Sequence, residues 1–182
     1  LRRRKDGTLV HVSVSTKAIR GAEGSVQYFL LNTKDVTHLK VLRDSRVVDA
    51  RFGNLLESTP DAIVMVNVTG RVVMVNSQAE RMFGRLRADL IGQPVEALLP
   101  SRYRQAHHGH RGAFFAQPRT RAMGAGLELY GLRRDGEEFP VEISLSPIDL
   151  FGEAFTVANI RDVTERHQAA ADRMRMQADL QV

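Results

Sequence analysis

Between Ser101 and Phe115 the chain reads SRYRQAHHGHRGAFF, a stretch that holds three of its six histidines. On a helix, Tyr103, His107, His110 and Phe114 fall at i, i+4, i+7 and i+11 and share one face. His108 lies about a third of a turn away and turns toward solvent. An imidazole on an apolar stripe has two ordinary uses. It can be a half-buried structural residue with its hydrogen bonds satisfied. It can also offer a ring nitrogen to a metal, and imidazole is a common axial ligand of haem iron. His107 and His110 are the candidates for the second use. As a zinc or iron pair they lack an evident third ligand nearby.

Other chemistry finds less support. The chain has no cysteine, so disulfides, thiolate zinc sites, iron–sulfur clusters and thiol nucleophiles are all excluded. That agrees with a reducing, cytoplasmic compartment. Gly124-Ala125-Gly126 is not a dinucleotide loop, because no strand-turn-helix pattern follows. Ser144 and Ser146 stand on a strand with no base placed by a motif. Glu137, Glu138 and Glu142 read as turn and strand-surface charges. No catalytic constellation is present, and the expectation is a non-enzymatic fragment. The net charge is +5 over 182 residues. Its arginines are scattered among acids, with neither a basic stripe nor a helix-turn-helix pattern, so nucleic acid is not the expected partner. No apolar run approaches the eighteen residues that would argue a membrane span.

The elements that must position the histidines are announced by a repeat. RRKDGTLVHVSVSTKAI near the start returns as LRRDGEEFPVEISLSPI at Leu132–Ile148. With Asp6-Gly7 set on Asp135-Gly136, Arg4 meets Arg133, Val12 meets Val141 and Ile19 meets Ile148. After a loop two residues shorter in the second copy, Tyr28 meets Phe155, and Asp35-Val36-Thr37 meets Asp162-Val163-Thr164. In both copies apolar residues alternate with polar ones, the period of a half-buried strand. The Asp-Gly pairs are hairpin turn signals. Each copy is expected to be an antiparallel meander ending in Asp-Val-Thr and followed by a helix. In the first helix Val41, Val48 and Leu55, with Phe52, form an amphipathic stripe. Thr164 is expected to cap the second.

The residues between the copies make the one complete unit. Ala62–Val66 and Val72–Val75 form a hairpin over Thr69-Gly70. Asn76 caps a helix over Ser77–Phe83. Short turns follow at Leu90–Gly92 and Val95–Leu99. Ser101 caps a helix to about Ala116, stopped by Pro118, and a strand covers Leu127–Leu132. The order β-β-α-α-α-β-β-β predicts an α+β domain: a five-stranded antiparallel sheet with helices on one face, flanked by amphipathic helices.

This order resembles the PAS family. The resemblance rests on VMVNSQAERMFGRLRADLIGQPVEALLP, on RRDGEEFPVEISLSPI and on IRDVTERHQ. It implies a tandem arrangement: the C-terminal strands of a truncated first domain over 1–38, a linker helix over 39–57, a complete domain over 58–164, and the start of an output helix over 165–182. It implies a sensory module of a bacterial signalling protein, a homodimer through the flanking helices, and a C-terminal output domain. The tail RMRMQADLQV resembles the linker before the dimerisation helices of histidine kinases, with a diguanylate cyclase as the alternative output. Asp162 and Thr164 correspond to the family's junction between core and output helix. By position, Asp35 and Thr37 would couple the preceding domain to this one. The half-copy is expected to pair with another surface.

The histidine helix is also similar to that of the haem PAS domains of oxygen-sensing kinases, where a histidine that matches His107 without gaps binds iron. Those sensors follow Gly-x-Gly with an arginine that contacts the bound gas. Here Leu127 follows instead; an apolar residue can line a gas pocket but cannot make that hydrogen bond. His107, His110 and Leu127 are therefore the candidate pocket residues; the expected function is a sensory and dimerisation module of undetermined ligand, and a haem-binding gas sensor with His107 on the iron is the alternative. The photoreactive flavin subgroup needs a cysteine that is missing here; a non-covalent flavin remains open.

Overall fold

The computed structural model describes residues 1–123, 128–150 and 152–179. The predicted strand start at Leu127 and the glycines at 124 and 126 lie outside the described residues. The chain begins with β1 (Arg2–Arg3), β2 (Leu9–Val10), β3 (Val12–Arg20) and β4 (Val26–Asp35), and then enters α1 (Thr37–Glu57). Next come β5 (Ala62–Asn67), β6 (Val72–Val75), α2 (Ser77–Phe83), α3 (Arg87–Leu90), a 3-10 turn (Val95–Leu98) and α4 (Ser101–Ala116). The last elements are β7 (Arg121–Met123), β8 (Leu129–Leu132), β9 (Glu138–Leu150), β10 (Glu153–Asp162) and α5 (Thr164–Asp179).

The central sheet is antiparallel throughout, in the order β6-β5-β10-β9, with β7 and β8 both on the far edge of β9. β7 pairs Ile143–Leu145 and β8 pairs Val141–Glu138. The fifth position of the predicted sheet is thus filled by two short strands, of which β7 carried no sequence signal. α2, α3 and α4 lie on one face. Ala62, Val64, Val66, Phe83, Leu98, Phe139 and Ile160 build the core beneath them. The Phe83 and Phe139 rings meet edge to face at 5.7 Å. Gly131 makes room for that pair, since a Cβ there would stand 2.7 Å from the Phe139 ring.

α1 covers the opposite face. Val41 and Val48 are each 1% exposed and pack with Ile63, Met65, Val73, Met74 and Phe155. The apolar stripe of α1 is therefore spent on its own sheet. This explains why every residue of β5 and β6 is buried: a strand covered on both faces has no polar side.

The repeat is reproduced pair by pair. Arg3 faces Leu9 as Leu132 faces Glu138. Val12 faces Asp35 as Val141 faces Asp162, and Ile19 faces Tyr28 as Ile148 faces Phe155. The surroundings differ. β10 continues into β5, whereas β3 and β4 form a two-stranded sheet with Tyr28, Phe29, Leu30 and Leu31 all exposed. The other surface expected for this ribbon is not supplied by any described residue of this chain.

Two expected caps are corrected. The α4 N-cap is Pro100, and Ser101 is the first helical residue without a capping bond. Thr164 likewise opens α5 rather than capping it; the carboxylate of Asp162 accepts its amide at 2.9 Å. Asn76 caps α2 as expected, accepting from the amide of Ala79. Gly84 ends that helix at φ 63°, a conformation that favours glycine.

Candidate functional site

A cavity of about 400 Å³ lies between α4 and the sheet. Its floor is Val64 and Val66 of β5, Val141, Ile143 and Leu145 of β9, and Thr156, Ala158 and Ile160 of β10. Its roof is the predicted face of α4: Tyr103, Ala106, His107, His110, Arg111, Phe114 and Phe115. Tyr103 and His110 also reach solvent and stand at the rim, while His107 is half-buried and Phe114 buried. The structure thus brings His107 and His110 to one cavity. Leu127 lies outside the described residues. A cleft of this size, mostly apolar with a few polar groups, has the build of a small-molecule site.

The polar end of the cavity is a cluster that sequence spacing does not announce. Glu96, on the 3-10 turn, is 3% exposed. Its Oε1 lies 3.0 Å from Nδ1 of His107, 3.2 Å from Nε of Arg111 and 3.3 Å from Nδ1 of His108. Burial alone would raise the Glu96 carboxyl pKa. The hydrogen bond from His107 and the charge of Arg111 outweigh it and hold the group below its ordinary value, so the side chain is ionised at neutral pH. Glu96 and His107 are eleven residues apart, across a turn and Pro100, so no helical periodicity links them. Oε2 of Glu96, Nε of Arg111 and Oγ1 of Thr156 are buried without a hydrogen bond among the described residues.

The cluster around Asp162, where the junction is expected, is built from the repeat. Oδ1 of Asp162 accepts the amide and hydroxyl of Thr164, at 2.9 and 2.5 Å. Oδ2 accepts from Arg133 at 2.7 Å. The same guanidinium bonds Glu137 at 2.9 Å, donates to the carbonyl of Met82 at the end of α2, and lies 3.8 Å over the Phe139 ring. Burial would raise the Asp162 pKa, but the Thr164 and Arg133 bonds together lower it. The first copy repeats the device: Arg4 bonds Asp35 at 2.6 Å, and Asp35 accepts the Thr37 amide at 2.9 Å. There the hydroxyl of Thr37 also accepts the amide of His11, at 2.9 Å. Arg133 had a signal in the sequence, its match to Arg4, but its link to Asp162 needed the fold.

The PAS domain family matches the chain over residues 1–38 and 60–165. The chain belongs to this family. The sensor protein FixL of Bradyrhizobium diazoefficiens is 29% identical over 135 residues, which is 74% of this chain and 27% of that protein. The oxygen sensor protein DosP of Escherichia coli is 26% identical over 131 residues, 69% of this chain and 16% of that protein. A probable diguanylate cyclase of Escherichia coli, DgcE, is 24% identical over 164 residues, covering 88% of this chain and 15% of its own. The chain therefore spans about a quarter or less of the length of these relatives. Among solved structures, a PAS domain from Desulfitobacterium hafniense superposes with a TM-score of 0.53 at 19% identity, covering 60% of this chain and 98% of its own. An RNA-binding light-oxygen-voltage receptor covers 93% of this chain and 44% of its own, with a TM-score of 0.54 at 17% identity. These likenesses carry the fold, and the sequence relatives place the chain among sensory signalling proteins. No described helix is long and apolar enough to cross a membrane.

Proposed function

We propose that this PAS sensory domain takes a small apolar ligand in the cavity beneath α4 and passes the resulting change to α5 through Arg133, Asp162 and Thr164. The observation that carries this reading is Arg133. One side chain touches the end of α2, the Phe139 ring of the core and Asp162 at the end of β10, whose carboxylate in turn accepts the amide of Thr164 at the start of the output helix. Phe139 packs on Phe83, which lines the cavity. A ligand that moves this aromatic pair moves the platform under the guanidinium. The two-state element is α5, leaving the sheet at Asp162. Residues 1–38 read as strands of a preceding copy, 39–57 as the linker helix, 58–164 as the sensing domain and 165–182 as the output helix. In the full-length protein the output is a histidine kinase, with a diguanylate cyclase as the alternative. A homodimer through the flanking helices would use α5 and the exposed Leu39 and Leu42 of α1, because Val41 and Val48 are engaged by the sheet.

A second reading is favoured by one observation, the carboxylate behind His107. A histidine that ligates a metal commonly donates its other ring nitrogen to a carboxylate, and Glu96 is so placed at 3.0 Å. The residues fit a haem held by His107, with Val64, Ile143, Leu145 and Ile160 as apolar walls. Haem would supply an iron site for a diatomic gas, in keeping with the oxygen sensor among the relatives. The absorption spectrum of the purified protein, before and after addition of haemin, separates the readings. A Soret band lost in His107→Ala supports haem. A colourless protein that takes up an apolar probe and shifts α5 supports the plain ligand relay. Neither result would refute both.

A further inference from the structure

α2 is seven residues long and is bonded at both ends to groups from outside it. At its start, Glu57, the last residue of α1, accepts the amide of Ser77 at 2.8 Å. The Asn76 cap donates from Nδ2 to the carbonyl of Leu56, in the same last turn of α1, at 3.1 Å. At its end, the carbonyl of Met82 accepts from Arg133, and that of Phe83 accepts the amide of Arg134 at 2.9 Å. The first amide and the last carbonyls of a helix have no partner within it, so both sets of bonds are filled from neighbours. The charges match the helix dipole, with a carboxylate at the positive end and a guanidinium at the negative end. Arg87 of α3 steadies the first corner, bonding Glu57 and lying 3.2 Å from Asp49. From Arg133 the bonds continue to Asp162 at 2.7 Å and from Asp162 to the amide of Thr164 at 2.9 Å. An unbroken series thus leads from the last residue of α1 to the first of α5. Glu57, Ser77, Met82, Arg133, Asp162 and Thr164 all lie outside the cavity lining.

We propose that α2 is a rod that carries a displacement of α1 to α5 whether or not the cavity is filled, so that the domain passes on an input arriving along α1 as well as one it senses itself. Seven residues at about 1.5 Å each span about 10 Å. Ala79 and Phe83 are buried against the sheet, so α2 has no solvent-filled space in which to absorb a shift by fraying. A movement of Glu57 that draws Ser77 with it reappears at the Met82 carbonyl, against the guanidinium that holds Asp162. Small shifts of packed helices are an established form of switching. The route shares its last link, Arg133 to Asp162 to Thr164, with the ligand relay proposed above; its first half, through α1 and α2, is separate from it.

Ser77→Pro cuts the route at one bond. Proline suits the first position of a helix, where its missing N–H costs no bond within the helix. Asn76, at φ −90° and ψ 172°, already has the extended backbone that precedes a proline. Glu57→Ala removes the other partner of the same bond, and if one cut fails to fold the other decides. The readout is amide hydrogen exchange on the whole 182-residue chain. Lys40→Ala is the control, because it frees α1 from Glu153 and leaves the route whole. In either cut the first two turns of α5 should exchange at least about threefold faster than the change seen in β9 accounts for, the scale of coupling within one bonded network. Lys40→Ala should show no such excess. The excess should persist in the Ala158→Phe background, where the cavity is obstructed, and vanish in the Arg133→Ala background, where the last link is already gone. No excess in a folded cut, while Arg133→Ala by itself quickens α5, overturns the rod and leaves the ligand relay standing. An α5 indifferent to Arg133→Ala refutes the relay and the rod together. An excess that survives Arg133→Ala overturns the route through α2, and one lost in Ala158→Phe overturns its independence of the cavity.

Discussion

Arg133→Ala tests the relay where it is narrowest. The substitution removes a charged hydrogen bond to Asp162, whose side chain is 29% exposed. Bonds to charged groups contribute about 1.5–3 kcal/mol, and partial exposure puts this one near the lower end. The guanidinium over the Phe139 ring adds about 0.5–1 kcal/mol. The pair with Glu137 is surface-like and adds little. The expected loss is roughly 2–3 kcal/mol, which for a chain of this size lowers Tm by about 5–10 °C. The loss should be local as well as global. Asp162 keeps its bonds to Thr164, but nothing then ties that carboxylate to α2 or to the core. Amide exchange at the start of α5 should therefore quicken by at least about tenfold, while β5 and β6 change only by the global loss. Asp162→Ala should act alike, and the double variant should be less destabilised than the sum, with a coupling of about 1–2 kcal/mol. Arg4→Ala is the internal control. It breaks the equivalent pair in the first copy, where both partners are exposed, and should leave Tm unchanged. An Arg133→Ala variant that melts with the native protein and keeps its α5 exchange rates would refute the relay.

Four further outcomes are expected. Asn76→Ala should cost about 3–5 kcal/mol by chemical denaturation. It removes the cap of α2 and strands the amide of Ile63 with the carbonyls of Leu56 and Asp61, all fed by one fully buried side chain. Ala158→Phe should sharply reduce uptake of an apolar dye with little change in Tm, because the new ring projects from the floor into a cavity of about 400 Å³ and obstructs it. Val48→Ala should cost about 1–3 kcal/mol and loosen α1, read as faster exchange along that helix. Stability should fall in acid. Glu57, Glu96 and Asp162 all have folded pKa values below their ordinary ones. Their contribution is complete above the unfolded carboxylate range near about pH 4 and disappears as pH drops through the lowered folded values. Asp162→Asn should reduce that acid dependence in a pH series of Tm.

What could be read from the sequence was local and periodic. The start of α2 was announced by its asparagine cap, Asn76, and the helix ends, as expected, at Phe83. The pairing register followed from the repeat, since the two copies match on both sides of a loop two residues shorter in the second, and the matched residues face matched partners. The cavity face of α4 followed from the 3.6-residue period that unites Tyr103, His107, His110 and Phe114. The rest depended on chain crossings. β7 is three residues long and has no alternation to detect. The stripe of Val41 and Val48 was visible, but its target was not, because a helix pattern does not say whether it packs on a sheet or on a partner. Glu96 had no signal of its own within the short turn at Val95–Leu99. Only the return of α4 over that turn buries it against His107.

The sheet carries the argument from one face to the other. On β5 the residues alternate, Val64 and Val66 toward the cavity and Ile63 and Met65 toward α1. On β10, Thr156 and Ala158 line the cavity, Phe155 packs under α1, and the strand ends at Asp162. A close-packed strand transmits displacement rather than absorbing it. A ligand that shifts β5 or β10 by even a fraction of an ångström therefore meets both helices at once: α1 through the seats of Val41 and Val48, and α5 through the junction. If occupancy favours one seating of α1, that seating must favour occupancy by the same free energy. Under the proposed relay, the first copy, which ends at Asp35 and leads into α1 at Thr37, would be in thermodynamic contact with the cavity without touching it. The repeat thus puts one Arg-Asp-Thr cluster ahead of each long flanking helix, Arg4-Asp35-Thr37 before α1 and Arg133-Asp162-Thr164 before α5.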